Sequence, residues 1–562
     1  MSIDESPSRG ITETRVVYYV DSVNGNDNAS GTSENQAWKT FKWFAGLTLQ
    51  PGDRVLLKSG SSWNEPLILN GQGTAEAPII LSSYGIGSLP LIYGTDIKKD
   101  VCVTINNPSY WQISNVDLRN AKLGLYLRYI ASSGNRDVSV TGCNFRDMPD
   151  TVADAGLNNF EFAWSAGICI GGLLGPDENI TVLDGLTVKN NSFHNTGVGV
   201  ISSWYFPGVY KRRLVNVLVE NNTADYCYGG GFAFTYATDV VVRNFSITNS
   251  GGASHFGTTA GFLQSTDNVL IEYCEMASTK AVDCHDGVGM DFEGNNTNTV
   301  FRYNYVHGND GPGILFCTTE GINQGVTVTG NVIFNNGLNA YNNDYKFEFL
   351  NWTERDQNAQ ITGYNSGTIS NNTIMRKWGN GFFSSGTATA GVPFEWNNFT
   401  ISGNSQSYYW STPPAKPGMA DPVLNSVSWD FAYDGDLLGW NTFNHWDSAT
   451  VSSDVLWGLA SGTDMFAVGP EMRLNAIAAD TLEVRMRTTQ SNVAQLFFVT
   501  ESEPYWDGAK SIAFNLIPGN DMKTYTVDLS SLAAWDGIVN TIRLDPSMIE
   551  GDTLAIDYIR LY

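Results

Sequence analysis

The chain has 562 residues, 42% of them hydrophobic and 16% charged. It is too long for one ordinary core and too apolar for a disordered chain, so at least two folded units are expected. A net charge of −25 repels nucleic acid and anionic membranes, and no apolar run approaches the roughly 18 residues that span a bilayer.

Residues 1–15 read as a tail, and MSIDESPSRG lacks an apolar signal core. Secretion is an expectation that rests on the polysaccharide reading below, not on these residues. The 7 Cys are scattered with no CxxC pair. That pattern predicts small buried fillers rather than a disulfide framework or a zinc site.

Next comes YYVDSVNGNDNASGTSENQAWKTF, residues 18–41, followed by PGDRVLLKSGSSW, residues 51–63. This stretch resembles the entry segment of pectate-lyase-like β-helix proteins. The resemblance implies a parallel β-helix for residues 16–410, a fold shared by glycan lyases, glycan hydrolases and phage tailspikes. It does not choose a reaction.

An eight-residue pattern then recurs: apolar, any, apolar, any, two positions favouring Asn or Gly, and a return to apolar. It reads WQISNVDL from Trp111, VSVTGCNF from Val138, LTVKNNSF from Leu186 and VLVENNTA from Val217. It continues from Val240, Val269, Val300, Val326, Gly367 and Phe399, mostly 23 to 32 residues apart. Period-two alternation predicts strands with one buried face, and Asn or Gly predicts a corner at positive φ. No amphipathic helix lies between rungs, and the period is short for a propeller blade. A second strand series interleaves, for example AGICIG near Gly167, GVGMDFEG near Gly287 and GPGILFC near Gly311. The fold class expected is all-β: a right-handed parallel β-helix of at least ten coils, then an antiparallel jelly-roll sandwich.

The candidate chemistry lies on the second series. If Met290 and Phe292 point inward, Asp291 and Glu293 point outward. By the same count Cys169, Ile201, Ala233 and Leu263 take the place of Asp291 on earlier coils, and Lys346 and Glu348 point outward on a later one. HDGVGM from His285 aligns with NDGPGI from Asn309, which stacks Asp286 on Asp310. Stacked carboxyls resist joint ionisation, and a protonated carboxyl beside an ionised one is what glycosidic cleavage needs. The pair also resembles the Asn-Thr-Asp-Gly and Gly-Asp-Asp motifs of polygalacturonase-type hydrolases, here Cys284-His285-Asp286-Gly287 and Gly308-Asn309-Asp310. The resemblance implies catalytic roles for Asp286 and Asp310. Asn309 replaces one family carboxylate and two further family motifs are missing, so polygalacturonate is not implied as the substrate.

The expected catalytic set is therefore Asp286, Asp310, Asp291 and Glu293. The expected substrate-binding set is His285, His255, Glu348, Trp204, Trp352, Arg355 and Lys346. No cofactor is required and no catalytic metal is expected, although stacked Asp residues also offer a structural Ca²⁺ site. Residues 411–426, with several Pro, read as a linker. Residues 427–562 resemble the jelly-roll modules of secreted carbohydrate enzymes, with Trp440, Trp446, Trp457, Trp506 and Trp535 as candidate sugar platforms. The expected partner is a polysaccharide or oligosaccharide, with no nucleic acid or membrane, and a monomer is expected. The leading reading is a glycoside hydrolase. A polysaccharide lyase using a Lys, Arg or His base, and a non-catalytic glycan binder, remain open beside it.

Overall fold

The computed structural model describes residues 15–562 except 131–133, 150–164, 173–180, 204–212, 253–256, 283–285, 319–320, 340–344, 354–362, 377–380, 388–395, 409–412, 418–423, 425, 432–436, 439, 453–454, 471 and 501. Two compact units divide the chain near residue 418.

The first unit is a stack of coils. Its strands form three parallel sheets of 13, 11 and 12 strands among the described residues. The first sheet runs from Val17–Val20 to Phe399–Ser402 and contains the recurrent rungs. The second runs from Leu67–Asn70 to Phe383–Thr387, and the third from Ser62–Trp63 to Ser405–Tyr408. Each rung pairs with the next, Val138 with Leu186 and Val326 with Gly367 included. The longer spacings at those two places are therefore longer loops, not missing coils.

Each rung ends in a left-handed corner residue, such as Asn115 (φ 54°), Tyr273 (φ 55°) and Gly330 (φ 66°). The asparagine after the corner turns inward. Asn304 Nδ2 donates to Asn331 Oδ1 at 3.1 Å, and Asn331 Nδ2 to Asn372 Oδ1 at 2.9 Å. A second such ladder runs Thr266–Asn296–Asn323–Asn365, and a third starts Thr279–Asn309–Asn336. These ladders satisfy corner amides that would otherwise be buried without partners. Where Cys143 and Cys274 take the place of a ladder asparagine, their backbone N–H groups still donate to the next Asn, at 2.9 Å each. All described cysteines are buried and unbridged.

One rung departs from the expected register. Val269 pairs with Thr299, not Val300, so Thr299 and Phe301 face the core and Val300 faces outward. The buried Thr is why the hydrophobic pattern misplaces this strand by one residue.

The second unit is a sandwich of two antiparallel sheets, six-stranded each among the described residues. Thr481–Thr488 lies between Lys523–Asp528 and Thr553–Leu561 in one sheet, and Ile538–Ser547 between Met465–Val468 and Val493–Thr500 in the other. Most of the proposed sugar platforms belong to its core. Trp440, Trp446 and Trp535 are 2%, 6% and 5% exposed. Trp535 Nε1 donates to the carbonyls of Ala476 and Ala479. Trp457 is half-buried with the Arg487 guanidinium 4.9 Å from its ring, and Trp506 is exposed. The inner faces of a sandwich need large rings to fill the space between sheets, which favours core positions for Trp.

Candidate active site

The site begins at a corner. Gly289 N donates to Pro312 O (3.0 Å), Met290 N to Gly313 O (2.9 Å) and Gly311 N to Gly287 O (2.9 Å). Residues 286–290 and 310–314 therefore stack in register, and Asp286 and Asp310 occupy equivalent positions on adjacent coils. Gly287 sits at φ 75°, and a Cβ there would lie 2.9 Å from Gly311 N, so both conformation and space call for glycine. Asp286 leans back over the previous coil. A Cβ on Gly257 would come within 2.2 Å of Asp286 Oδ2.

The two stacked aspartates have different surroundings. Asp310 is 5% exposed. Its carboxylate accepts from the backbone N–H of Ala281 at 3.1 Å and from Asn339 Nδ2 at 3.0 Å, with Lys280 Nζ 3.8 Å away. These bonds tie neighbouring coils together. Asp286 is half-buried at the corner before the strand.

Asp291 and Glu293 follow on the strand Val288–Gly294. Phe262 pairs with Asp291, Leu263 with Phe292, and Gln264 with Gly294. Glu293 is thus the extra residue of a β-bulge, a device that re-aims a side chain. It brings the Glu293 carboxyl into a hydrogen bond with Asp291. Asp291 is 4% exposed, and its Oδ1 is buried without a hydrogen-bond partner. Burial first, then the charges of Glu293 and Asp286, then the bond to Glu293, hold the Asp291 carboxyl well above the usual range. The protonated form of Asp291 is thereby favoured. Three carboxyls thus meet in one small region, one of them a buried acid.

The same register corrects the outward column. It runs Ile201, Ala233, Phe262, Asp291, Leu315, Leu350, so Phe262 rather than Leu263 precedes Asp291. Leu263 points into the core. The column is not acidic beyond Asp291. Glu348 does not face outward: it is completely buried, accepts from Asn336 Nδ2 at 2.6 Å and Asn336 N at 3.1 Å, and has Arg376 Nη1 3.8 Å away. It stands where the next asparagine of the third ladder would be, a place period-two counting does not reveal. Asn309, read as a replaced family carboxylate, is an inner rung of that ladder.

Trp352 is half-buried on the outer side of its strand, and Lys346 is half-buried beside Gly337. Trp204, His255, His285 and Arg355 lie outside the described residues. Among the described residues no group of three or more His, Cys, Asp or Glu side chains is arranged to hold a metal ion.

Sequence reasoning missed Tyr345. It is 7% exposed and packs with Val288, Leu315, Cys317 and Leu350 on the outer face of the sheet. Its ring lies 6.0 Å from that of Trp352. Burial, then Asp286, Cys317, Asp291 and Glu293, raise its hydroxyl pKa. It follows the strand pattern of no rung, so periodicity carries no sign of it.

The family model described as "Right handed beta helix region" matches residues 101–353. The solved GH136 lacto-N-biosidase from Eubacterium ramulus is 19% identical, with a TM-score of 0.51, covering 70% of this chain and 68% of that one. The first unit is a right-handed parallel β-helix. A mannuronan C-5 epimerase A-module from Azotobacter vinelandii aligns at 18% identity and a TM-score of 0.43, covering 65% of this chain and 93% of the module. The lacto-N-biosidase of Bifidobacterium longum subsp. longum is 23% identical over 347 residues, 56% of this chain. The β-helix chain spans about a fifth of the length of that relative, 20%.

Proposed function

We propose that this protein is a carbohydrate-active enzyme, and specifically a glycoside hydrolase acting on an uncharged glycan. The observation that carries this reading is the hydrogen-bonded pair of Asp291 and Glu293 beside Asp286. The protonated form of Asp291 is favoured, with two further carboxyls beside it. A proton donor next to an ionised carboxylate is the requirement of glycosidic cleavage. The similarity to two lacto-N-biosidases supports work on a glycan.

Exposure assigns the roles. Asp291 is nearly sealed, whereas Asp286 and Glu293 are half-buried. Glu293 and Asp286 are therefore the groups that touch substrate, and Asp291 is a positioning residue that holds the proton beforehand and hands it to Glu293 as the glycosidic oxygen approaches. The glycosidic C–O bond breaks, and the leaving oxygen takes the proton from Glu293. The anomeric carbon receives oxygen from water with assistance from Asp286, and the water proton returns to the site.

A lyase needs a base and a cation to neutralise a uronate. The outward column through Asp291 has no Lys or Arg from Ile201 to Leu350, and Lys280 faces Asp310. These observations favour an uncharged sugar. The test is product analysis over a panel of uncharged and uronate-containing oligosaccharides. Saturated products with new reducing ends support the hydrolase. Unsaturated uronate ends would overturn it in favour of a lyase, and intact glycans would leave a binder.

A further inference from the structure

We propose that Gln264 binds substrate beside the carboxyl pair, its side-chain amide hydrogen-bonding to a neutral polar group, a hydroxyl or an acetamido, on the sugar whose glycosidic bond Glu293 protonates. The inference rests on the site proposed above and adds a specificity-determining residue to it. Placement comes first. Gln264 ends the strand Thr259–Gln264, one coil before the strand of Asp291 and Glu293. Leu263 points into the core, and Phe262 stands opposite Asp291 in the outward column. Alternation therefore puts Gln264 on the outward face with Phe262. Its partner on the next coil is Gly294, and the bulge sets Glu293 and Gly294 together against Gln264. Backbones paired in this way lie about 4.8 Å apart.

The state of the amide is the second observation. Gln264 is 6% exposed, yet among the described residues its side-chain amide has no hydrogen-bond partner. Its neighbours along the sheet supply none. Thr235, its partner on the coil before, turns its hydroxyl to the carbonyl of Ser202 at 3.2 Å. Gly294, held at φ 131°, has no side chain to offer. An amide this deeply placed ordinarily finds partners within the fold, because an unmet donor and acceptor are costly there. Here the amide stands unmet on the coil next to the proton donor. It donates, accepts and bears no charge. A sugar hydroxyl or acetamido matches it, whereas a uronate carboxylate is met best by a cation. A polar group completed only by its ligand also discriminates against sugars that lack the matching group.

Gln264→Met tests this, because it keeps the length of the side chain and removes its hydrogen bonding. Parent and variant both carry Glu293→Gln in the full-length protein, so that bound sugar is not cleaved. Cellobiose, lactose, xylobiose, N,N′-diacetylchitobiose and, as a charged control, digalacturonate are titrated into each by calorimetry. We expect at least one neutral disaccharide to bind the parent, and Gln264→Met to weaken it by about tenfold or more, the size of one lost hydrogen bond. The melting temperature should stay at the parent value or rise, because no bond within the fold is lost. Gln264→Ala should weaken the same sugar. Equal affinities in parent and variant, no binding of any neutral sugar, or tighter binding of digalacturonate than of every neutral sugar would overturn the proposal. So would a lower melting temperature in Gln264→Met, or failure of both variants to fold, since the amide would then serve the fold. The readout needs no turnover, so it separates this proposal from the hydrolase reading. A glycan that Gln264→Met binds more weakly but that wild type leaves intact defeats that reading alone.

Discussion

Asp291 and Glu293 share a hydrogen bond across a β-bulge, and Oδ1 of Asp291 is buried with no hydrogen-bond partner. A buried carboxyl left half-satisfied is a cost to the fold. Such costs are commonly found where a site is built for chemistry rather than for stability.

Asp291→Asn should therefore stabilise the β-helix at pH 7 to 8. The folded pKa of Asp291 is raised, so its favourable contribution is complete below the unfolded value near 4 and is lost as pH rises through the folded one. An amide does not titrate. We expect a gain on the order of 1 kcal/mol at pH 8 and no gain at pH 4, read from urea unfolding at both pH values. A variant less stable than wild type at pH 8 would show that the ionised form is welcome there.

Glu348 has the same sign for a structural reason. Burial pushes its carboxyl up to about 7, against the pull of Asn336 and Arg376. Its stabilising contribution is full below about 4.5 and declines as pH rises toward 7. The β-helix should lose stability across that window, and Glu348→Gln should flatten the loss while leaving glycan cleavage unchanged. Thermal melts at pH 5, 6, 7 and 8 decide it. An unchanged slope would contradict the assignment.

Asp310→Asn separates the stacked aspartates. Asp310 holds Ala281 and Asn339, so the variant should lower stability by about 1 to 2 kcal/mol. Turnover should stay within about tenfold of wild type, below the usual effect of removing acid–base assistance. Loss of activity with full stability would return Asp310 to the catalytic set.

Asn331→Leu probes the ladder. Asn331 accepts from Asn304 and donates to the carbonyls of Phe301 and Thr329 and to Asn372. A leucine strands several buried polar groups, at about 1 to 3 kcal/mol each. We expect the largest destabilisation of any single change named here, measured by urea unfolding. A neutral result would mean the corner relaxes to find other partners.

Much of the coil architecture was legible because it is periodic. The rungs, their inward residues and their corners follow from alternation plus Asn or Gly, and Tyr273 and Tyr303 show that the corner imposes positive φ even on an aromatic residue. Register failed where chemistry broke the period. Thr299 faces the core although it is polar, which slipped that rung by one, and Leu263 was set in the column of Asp291 because two large apolar residues stand side by side there, Phe262 being the one that pairs with Asp291. Glu348 was misplaced because its role belongs to a ladder running across coils, invisible along the chain. Tyr345 was missed because a residue packed onto the outer face follows no strand period. Trp440, Trp446 and Trp535 looked like platforms because a tryptophan in sequence does not announce which face of a sheet it occupies.

The central claim is that Glu293 and Asp286 cleave glycosidic bonds in an uncharged glycan. Its most direct test is the steady-state rate of reducing-end release by wild type, Glu293→Gln and Asp286→Asn on the oligosaccharide that wild type cleaves best. The account predicts a fall in kcat of at least about a hundredfold in each variant, with folding intact, a size expected when acid or base assistance is lost. Cleavage by both variants within a few fold of wild type would contradict it.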